Sequence, residues 1–157
     1  WLRFGGREHP VDCHGVRDRS WGPRIARPDL RIGNAHGTAE DLAFFAYVNP
    51  AADGTELVTS GYVLRDGLSA EIRGGLRETS WIEERPRQVE LRFEDAAGRS
   101  FSFRGDCVNH AARNAGQGIV AVLNLVRWSQ GEETVAWGEN HDVWSEAAWL
   151  AAGREPL

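Results

Sequence analysis

The chain has 157 residues and a formal net charge of -5, which is enough length for one domain with a single sizeable core. The negative charge argues against binding to nucleic acid or to a membrane surface, because both roles normally need a basic face. All 18 basic residues are arginine, so Schiff-base chemistry on a lysine amine is excluded. No apolar run approaches the ~20 residues that cross a bilayer as a helix.

Cysteine usage and the first residue bear on the compartment and on processing. Cys13 and Cys107 are too few for a disulfide scaffold and form no CxxC pair, so we predict two free thiols in a reducing compartment, the cytoplasm. The chain opens on Trp1 and contains no methionine. We therefore expect that an upstream segment has been removed, whether an initiator, a tag or a preceding domain.

Alternation of apolar and polar residues predicts successive antiparallel strands in the first half of the chain. A strand over Val11 to Val16 leads into a charged run, and the Pro- and Arg-rich segment from Pro23 to Gly37 is predicted to be irregular. Asp66-Gly67 is a hairpin signal, and Gly74-Gly75 predicts a bulge. The strands predicted next are Leu42 to Val48, Glu56 to Leu64 and Ser69 to Ile82.

The second half alternates more regularly. Gln88 to Glu94 and the segment with Phe101 and Phe103 predict a hairpin with one wet face. The nearly all-apolar segment Ile119 to Trp128 predicts a strand that is covered on both sides. A last strand is predicted over Thr134 to Trp144, and its period of two places four side chains on one face: Trp137, Glu139, His141 and Val143.

The end of the chain predicts one short helix over Ser145 to Ala152, with an N-cap at Ser145 and a stop at Gly153. About eight or nine strands followed by one helix predict a single all-β domain over residues 1–157, an antiparallel up-and-down barrel. A two-sheet sandwich is the competing architecture, but tight hairpins favour the barrel because a Greek key needs a long crossing. Such a barrel is just wide enough to hold one small ligand.

Several segments resemble a known family. They are HGVRDRSWGPR, LAFFAYV, GYVLRDG, RxVELRFEDAAGR and VAWGENHDVW. Together they resemble the carotenoid 1,2-hydratase (hydroxyneurosporene synthase) and AttH-like superfamily, most specifically at Asp18-Arg19-Ser20-Trp21-Gly22, which is similar to its Asp-x-x-Trp-Gly motif. The resemblance implies a lipocalin-like barrel that matches the second of two tandem barrels. Its expected partner is an N-terminal barrel domain or a second copy of the chain.

The resemblance also implies a hydrophobic ligand inside the barrel, of isoprenoid, terpenoid or lipid type. In the hydratase branch it implies hydration, cyclisation or isomerisation that begins by protonation of an alkene. That step needs a protonated carboxylic acid in a dry pocket. The Tyr-x-Asp of the hydratases corresponds here to Tyr47-Val48-Asn49, and their histidine before the motif tryptophan corresponds to Arg19. Because an amide cannot protonate an alkene, Asp18, Glu139 or Asp142 would supply the acid, or the domain lacks this chemistry.

The candidate site residues follow from these patterns. His14 and His141 could form an acid–base pair if both point inward, whereas His36, with two other histidines, falls in a turn-like context that carries little signal. Asp18, between Arg17 and Arg19, is more often a structural carboxylate, whose pKa the guanidiniums lower, than a catalytic acid. The predicted catalytic residues are Asp18, His14, Glu139 and His141. The predicted ligand-binding residues are Trp21, Arg24, Tyr47, Asn49 and Trp137.

No cofactor is predicted, and no HxH or HExxH spacing indicates a metal site. Three functions remain open: an enzyme, a non-catalytic binding module, and a structural barrel that supports a partner domain. They differ in the expected interior. A cavity with an inward carboxylate and histidine would favour the enzyme, an apolar cavity the binding module, and an interior filled with side chains the structural role.

Overall fold

The structure is a computed structural model that describes residues 1–17, 27–83 and 85–157. Within these ranges the chain forms eleven strands and one helix. The elements are β1 (Leu2–Phe4), β2 (Arg7–His9), β3 (Arg31–Thr38), β4 (Leu42–Pro50), β5 (Glu56–Arg65), β6 (Leu68–Ile82), β7 (Arg85–Asp95), β8 (Ser100–Cys107), β9 (Ala111–Gly116), β10 (Ile119–Gln130), β11 (Glu133–Ser145) and α1 (Glu146–Ala151).

Eight of the strands close into a barrel. From β3 to β8 each strand pairs antiparallel with the next, β10 pairs with β8 and β11, and β11 returns to pair with β3. Residues 126–129 of β10 pair with β8, while residues 119–123 pair with β9, which is therefore an extra strand. The predicted antiparallel up-and-down barrel is confirmed, and the closure between β3 and β11 excludes the sandwich.

The predicted local signals are found where expected. Asp66 and Gly67 connect β5 to β6 with φ values of 52° and 76°, as a two-residue hairpin turn with left-handed residues requires. The register between β6 and β7 shifts between Ile72 and Gly74, so the predicted bulge is confirmed. Both features depend on residues within the turn or bulge itself.

The terminal helix is confirmed as well. The side chain of Ser145 accepts a hydrogen bond from the backbone N–H of Ala148 at 3.0 Å, which satisfies one free donor of the first turn. Trp149 is buried against the barrel, and Gly153 follows with φ 75°. No helix in the described part of the chain has the length and apolar character needed to cross a membrane.

Two predictions about the strands are wrong. Residues 11–16 form no strand and are exposed, and the short hairpin of β1 and β2 precedes them instead. The segment from Pro23 to Gly37 was predicted to be irregular from its prolines and arginines, but Arg31–Thr38 forms β3, the strand that closes the barrel. The strands β1, β2 and β9 were not predicted. Gly33 and Gly37 within β3 have a packing role.

Candidate functional site

Aromatic rings fill one half of the barrel interior. Phe44 stacks on Phe103 with ring centroids 4.6 Å apart and meets the edge of Trp128 at 5.4 Å. Phe93 and Phe101 extend the cluster, and all five rings are buried. The sequence alternation that aims these residues inward thus produces a packed core in this half of the barrel.

Glycines on the barrel wall make room for these rings. A Cβ at Gly37 would lie 2.7 Å from the ring of Phe44, and a Cβ at Gly105 would lie 2.6 Å from the ring of Trp128. Both distances are far below ordinary van der Waals contact. The strands therefore carry glycine at these positions because the interior space beside them is already occupied.

A buried ion-pair network occupies the other half of the interior. Arg77 on β6 donates from Nε to Glu56 at 2.9 Å and from Nη1 to the side chain of Asn140 at 2.8 Å. Its Nη2 donates to Asp142. Glu56 also pairs with Arg31 at 2.6 Å. Two guanidiniums and two carboxylates thus neutralise one another, as buried charges must.

Electrostatics agree with this pairing. Burial alone would lower the pKa of Arg77, but the adjacent charges of Asp142 and Glu56 outweigh burial and raise that pKa. Gly33 on β3 faces the same network, since a Cβ there would lie 2.7 Å from the carboxylate of Asp142. The network therefore leaves no space for a side chain on the neighbouring strand.

A pocket of about 500 Å³ lies at this end of the barrel, beside Trp81, Trp144 and Arg154. The guanidinium of Arg154 covers the ring of Trp81 at 3.9 Å, and that of Arg31 covers Trp144 at 4.3 Å. Glu56, which also lines the pocket, is held by Arg77 and Arg31. Most charges at this end therefore pair with one another, although Nε1 of Trp144 is buried and makes no hydrogen bond within the described residues.

The outer face of the barrel carries a row of five residues, one from each of five neighbouring strands. Strand register places Leu125 opposite Glu139, Glu139 opposite His36, His36 opposite Phe45, and Phe45 opposite Tyr62. Their chain neighbours, such as Phe44 and Asn140, point into the barrel. A histidine and a carboxylate therefore lie side by side on the outside, between apolar residues.

His36 and Glu139 interact directly. Nε2 of His36 lies 3.5 Å from Oε2 of Glu139. A hydrogen bond from His36 is the largest cause that lowers the pKa of Glu139, burial opposes it, and the charge of His141 lowers that pKa further. The lowered pKa keeps Glu139 as a carboxylate, which is poorly suited to donate a proton to an alkene.

Three polar atoms in this cluster are buried and make no hydrogen bond within the described residues. They are Nδ1 of His36, Oε1 of Glu139 and Nε2 of His141. Buried polar atoms in folded proteins nearly always have partners. Three atoms without partners among the described residues therefore mark a candidate polar site on this face.

His36 and Glu139 form the floor of a pocket of about 350 Å³ on the outer face, which we call the outer-face pocket. Leu123 and Leu125 of β10 and Trp137 of β11 line it, together with residues 14–16 of the N-terminal segment. Leu125 and Trp137 are 44% and 47% exposed. The pocket thus combines apolar walls with a polar floor, the usual composition of a small-molecule site.

The structure brings together only part of the predicted site. His14, Trp137 and Glu139 line the outer-face pocket, and His141 follows Glu139 on the same face. This shared face is confirmed, but it is the outer one. His14 lies outside any strand, so an inward pair with His141 is not formed.

The remaining predicted residues lie elsewhere. Tyr47 is exposed on the outer face of β4. The side-chain amide of Asn49 donates to the hydroxyl of Thr59 at 2.7 Å. Asp18, Trp21 and Arg24 fall outside the described residues.

The sequence prediction missed His36, whose context of glycines and Asn34 was taken for a turn. It lies in the middle of β3. A signal was present, because Ile32, Asn34 and His36 lie at every second position, as on one face of a strand, but Gly33 and Gly37 beside them obscured it. Within the described ranges no group of three or more His, Cys, Asp or Glu residues is arranged to hold a metal ion.

Comparison with known proteins gives one match. A family model described as "Domain of unknown function (DUF7064)" matches residues 1–143, which include β1 to β10, most of β11 and the whole His36–Glu139–His141 cluster. No curated protein and no solved structure matches the chain. Because the match covers most of its length, the chain belongs to the DUF7064 family of domains.

Proposed function

We propose that this domain is a lipocalin-like barrel that binds a largely apolar small molecule, of isoprenoid, terpenoid or other lipid type, in the outer-face pocket. The observation that carries the proposal is the pocket itself. Leu123, Leu125 and Trp137 offer apolar walls above His36 and Glu139, whose buried polar atoms lack partners. A ligand with an apolar body and one polar end would satisfy both parts.

Side chains occupy the barrel interior, which supports a structural role for the interior and not a ligand-binding one. The ring cluster around Phe44 occupies one half, and the network around Arg77 occupies the other. A side chain at Gly33 or Gly37 would overlap these groups. We therefore propose that the ligand implied by the family resemblance binds on the outer face and not in the interior.

Binding without catalysis is the better-supported form of the proposal. Glu139 has a lowered pKa, and Asp142 is bonded to Arg77, so neither supplies the protonated acid that hydration of an alkene needs. Asp18, the third proposed acid, lies outside the described residues, and its role stays a prediction. The two free thiols support the cytoplasmic setting expected from the sequence.

Native mass spectrometry of protein purified from its host tests the proposal, because a retained ligand adds its own mass to the chain. We expect a lipid-like adduct on the parent protein. Leu125→Arg fills the pocket with a long charged side chain, and we expect this variant to lose the adduct.

Leu57→Arg is the matched control, since Leu57 is exposed to a similar degree, 39% against 44%, on the outer face of β5, away from the pocket. It should retain the adduct. Equal adduct occupancy in both variants would show that the ligand binds elsewhere. If the parent protein carries no adduct and takes up none from a lipid extract, the proposal fails.

A further inference from the structure

We infer that the polar end of the ligand is a primary ammonium group, which Glu139 and His36 hold at the floor of the outer-face pocket, with His141 beside them on the same face. This inference rests on the proposed function and adds the chemical class of the ligand's head group. It starts from the three orphaned atoms, Nδ1 of His36, Oε1 of Glu139 and Nε2 of His141.

The orphaned atoms share one hydrogen-bonding character. A carboxylate oxygen only accepts hydrogen bonds. When the proton of His36 is on Nε2, facing Glu139 at 3.5 Å, its Nδ1 is an acceptor. Nε2 of His141 is likewise an acceptor when that ring carries its proton on Nδ1. The floor of the pocket thus presents two acceptors, with a third on the neighbouring His141, and an ammonium group presents three donors.

Charge favours an ammonium group over a hydroxyl group. Glu139 is held as a carboxylate, and its neighbour His36 is uncharged in the tautomer that leaves Nδ1 as an acceptor, so the described residues give Glu139 no cationic partner. The other half-buried or buried carboxylates described above, Glu56 and Asp142, each pair with a guanidinium. A cation on the ligand would supply the missing partner, and charge-assisted hydrogen bonds are stronger than neutral ones.

The aromatic surroundings suit a cation as well. Trp137 lines the pocket, and Phe45 lies beside His36 with ring centroids 6.3 Å apart. The face of an aromatic ring attracts a cation, most strongly for tryptophan. The leucine walls would then contact the alkyl part of an amphiphilic amine.

Two probes with the same alkyl chain test the inference: n-octylamine and n-octanol, titrated into the full chain near neutral pH by isothermal titration calorimetry. We expect the amine to bind about tenfold to a hundredfold more tightly than the alcohol. Glu139→Gln should remove this preference while the alcohol still binds. Glu133→Gln, at an exposed position at the start of β11 outside the pocket, is the matched control and should behave like the parent.

The outcomes separate the two proposals. If the alcohol binds as tightly as the amine, or if the preference survives in Glu139→Gln, the ammonium inference is wrong and the apolar site stands. If neither probe binds the parent protein, both the ammonium inference and the proposed function fail. The parent protein alone decides between amine and alcohol, so the test does not depend on the folding of the variant.

Discussion

Arg77→Met removes the guanidinium at the centre of the buried network. Methionine replaces it with an apolar side chain similar in length to the aliphatic part of arginine. Arg77 is 2% exposed and donates to Glu56, Asn140 and Asp142. After the substitution Glu56 still has Arg31 at 2.6 Å. Asp142 loses its guanidinium and remains 1% exposed. The variant therefore buries one uncompensated carboxylate.

The expected cost follows from that carboxylate. Removing one partner of a buried ion pair typically costs about 3–5 kcal/mol, because the remaining charge is left without compensation. For a domain of this size each kcal/mol lowers the melting temperature by roughly 2–4 °C. We expect Arg77→Met to melt roughly 6–20 °C below the parent protein.

Arg92→Met is the matched control. Arg92 also pairs with a glutamate, Glu78, but the two side chains are 54% and 63% exposed. Exposed ion pairs contribute about 0–1 kcal/mol. Urea unfolding followed by tryptophan fluorescence should therefore separate the two variants clearly, with the control close to the parent.

A triple variant isolates the unpaired charge as the cause. Adding Glu56→Gln and Asp142→Asn to Arg77→Met removes both carboxylates, and we expect it to recover part of the lost stability. Lower pH should act in the same direction on the single variant, because an unpaired buried carboxylate can take up a proton. If Arg77→Met unfolds at the same urea concentration as Arg92→Met, the reasoning is refuted.

Two further predictions concern the backbone and the thiols. Gly138→Ala would place a Cβ 1.9 Å from a backbone oxygen of β3, so we expect its free energy of unfolding, measured by thermal unfolding, to fall by several kcal/mol. Gly74→Ala is the control, because the nearest neighbour of its Cβ would be 4.0 Å away, and its stability should stay within about 1 kcal/mol of the parent. Equal stability of the two variants would contradict this reasoning. Cys13 and Cys107 are both free, as predicted, but burial, aided by nearby carboxylates, raises the pKa of Cys107 to about 11. Near pH 8 a disulfide reagent should label exposed Cys13 quickly and Cys107 slowly, and two equally fast thiols would disprove the burial argument.

Features that depend on neighbouring residues were predictable from the sequence. The turn at Asp66-Gly67 and the cap at Ser145 each follow from the conformational preference of the residues that form them. The alternation along β7 and β8 likewise gave the right strands and the right inward faces. Together these local signals were sufficient to predict the barrel.

The strand β3 could not be predicted in the same way. Gly33 and Gly37 weaken its strand pattern, and the reason for them lies far away in the chain. Gly37 faces Trp128, and Gly33 faces the network around Arg77. No sequence window contains both a glycine and the side chain that needs its space, so the packing role of these glycines could not be predicted.

The inward face of β11 was ambiguous for a similar reason. Trp137 lies on one face and Trp144 on the other, so hydrophobicity does not choose between them. The structure turns Asn140 and Asp142 inward because Arg77, 65 residues before Asp142, provides their partner. The sequence therefore placed Glu139 and His141 on one face of β11 but did not determine that this face is the outer one.

The two faces of β11 explain why a packed barrel retains buried charges. A slip of β11 by one residue would exchange its faces, moving Glu139 inward and Asn140 outward. In that arrangement Arg77 would lose its bonds to Asn140 and Asp142, and its buried charge would be left with Glu56 alone. The network therefore favours the register that places Glu139 opposite His36, so the buried network inside the barrel fixes the geometry of the pocket outside it.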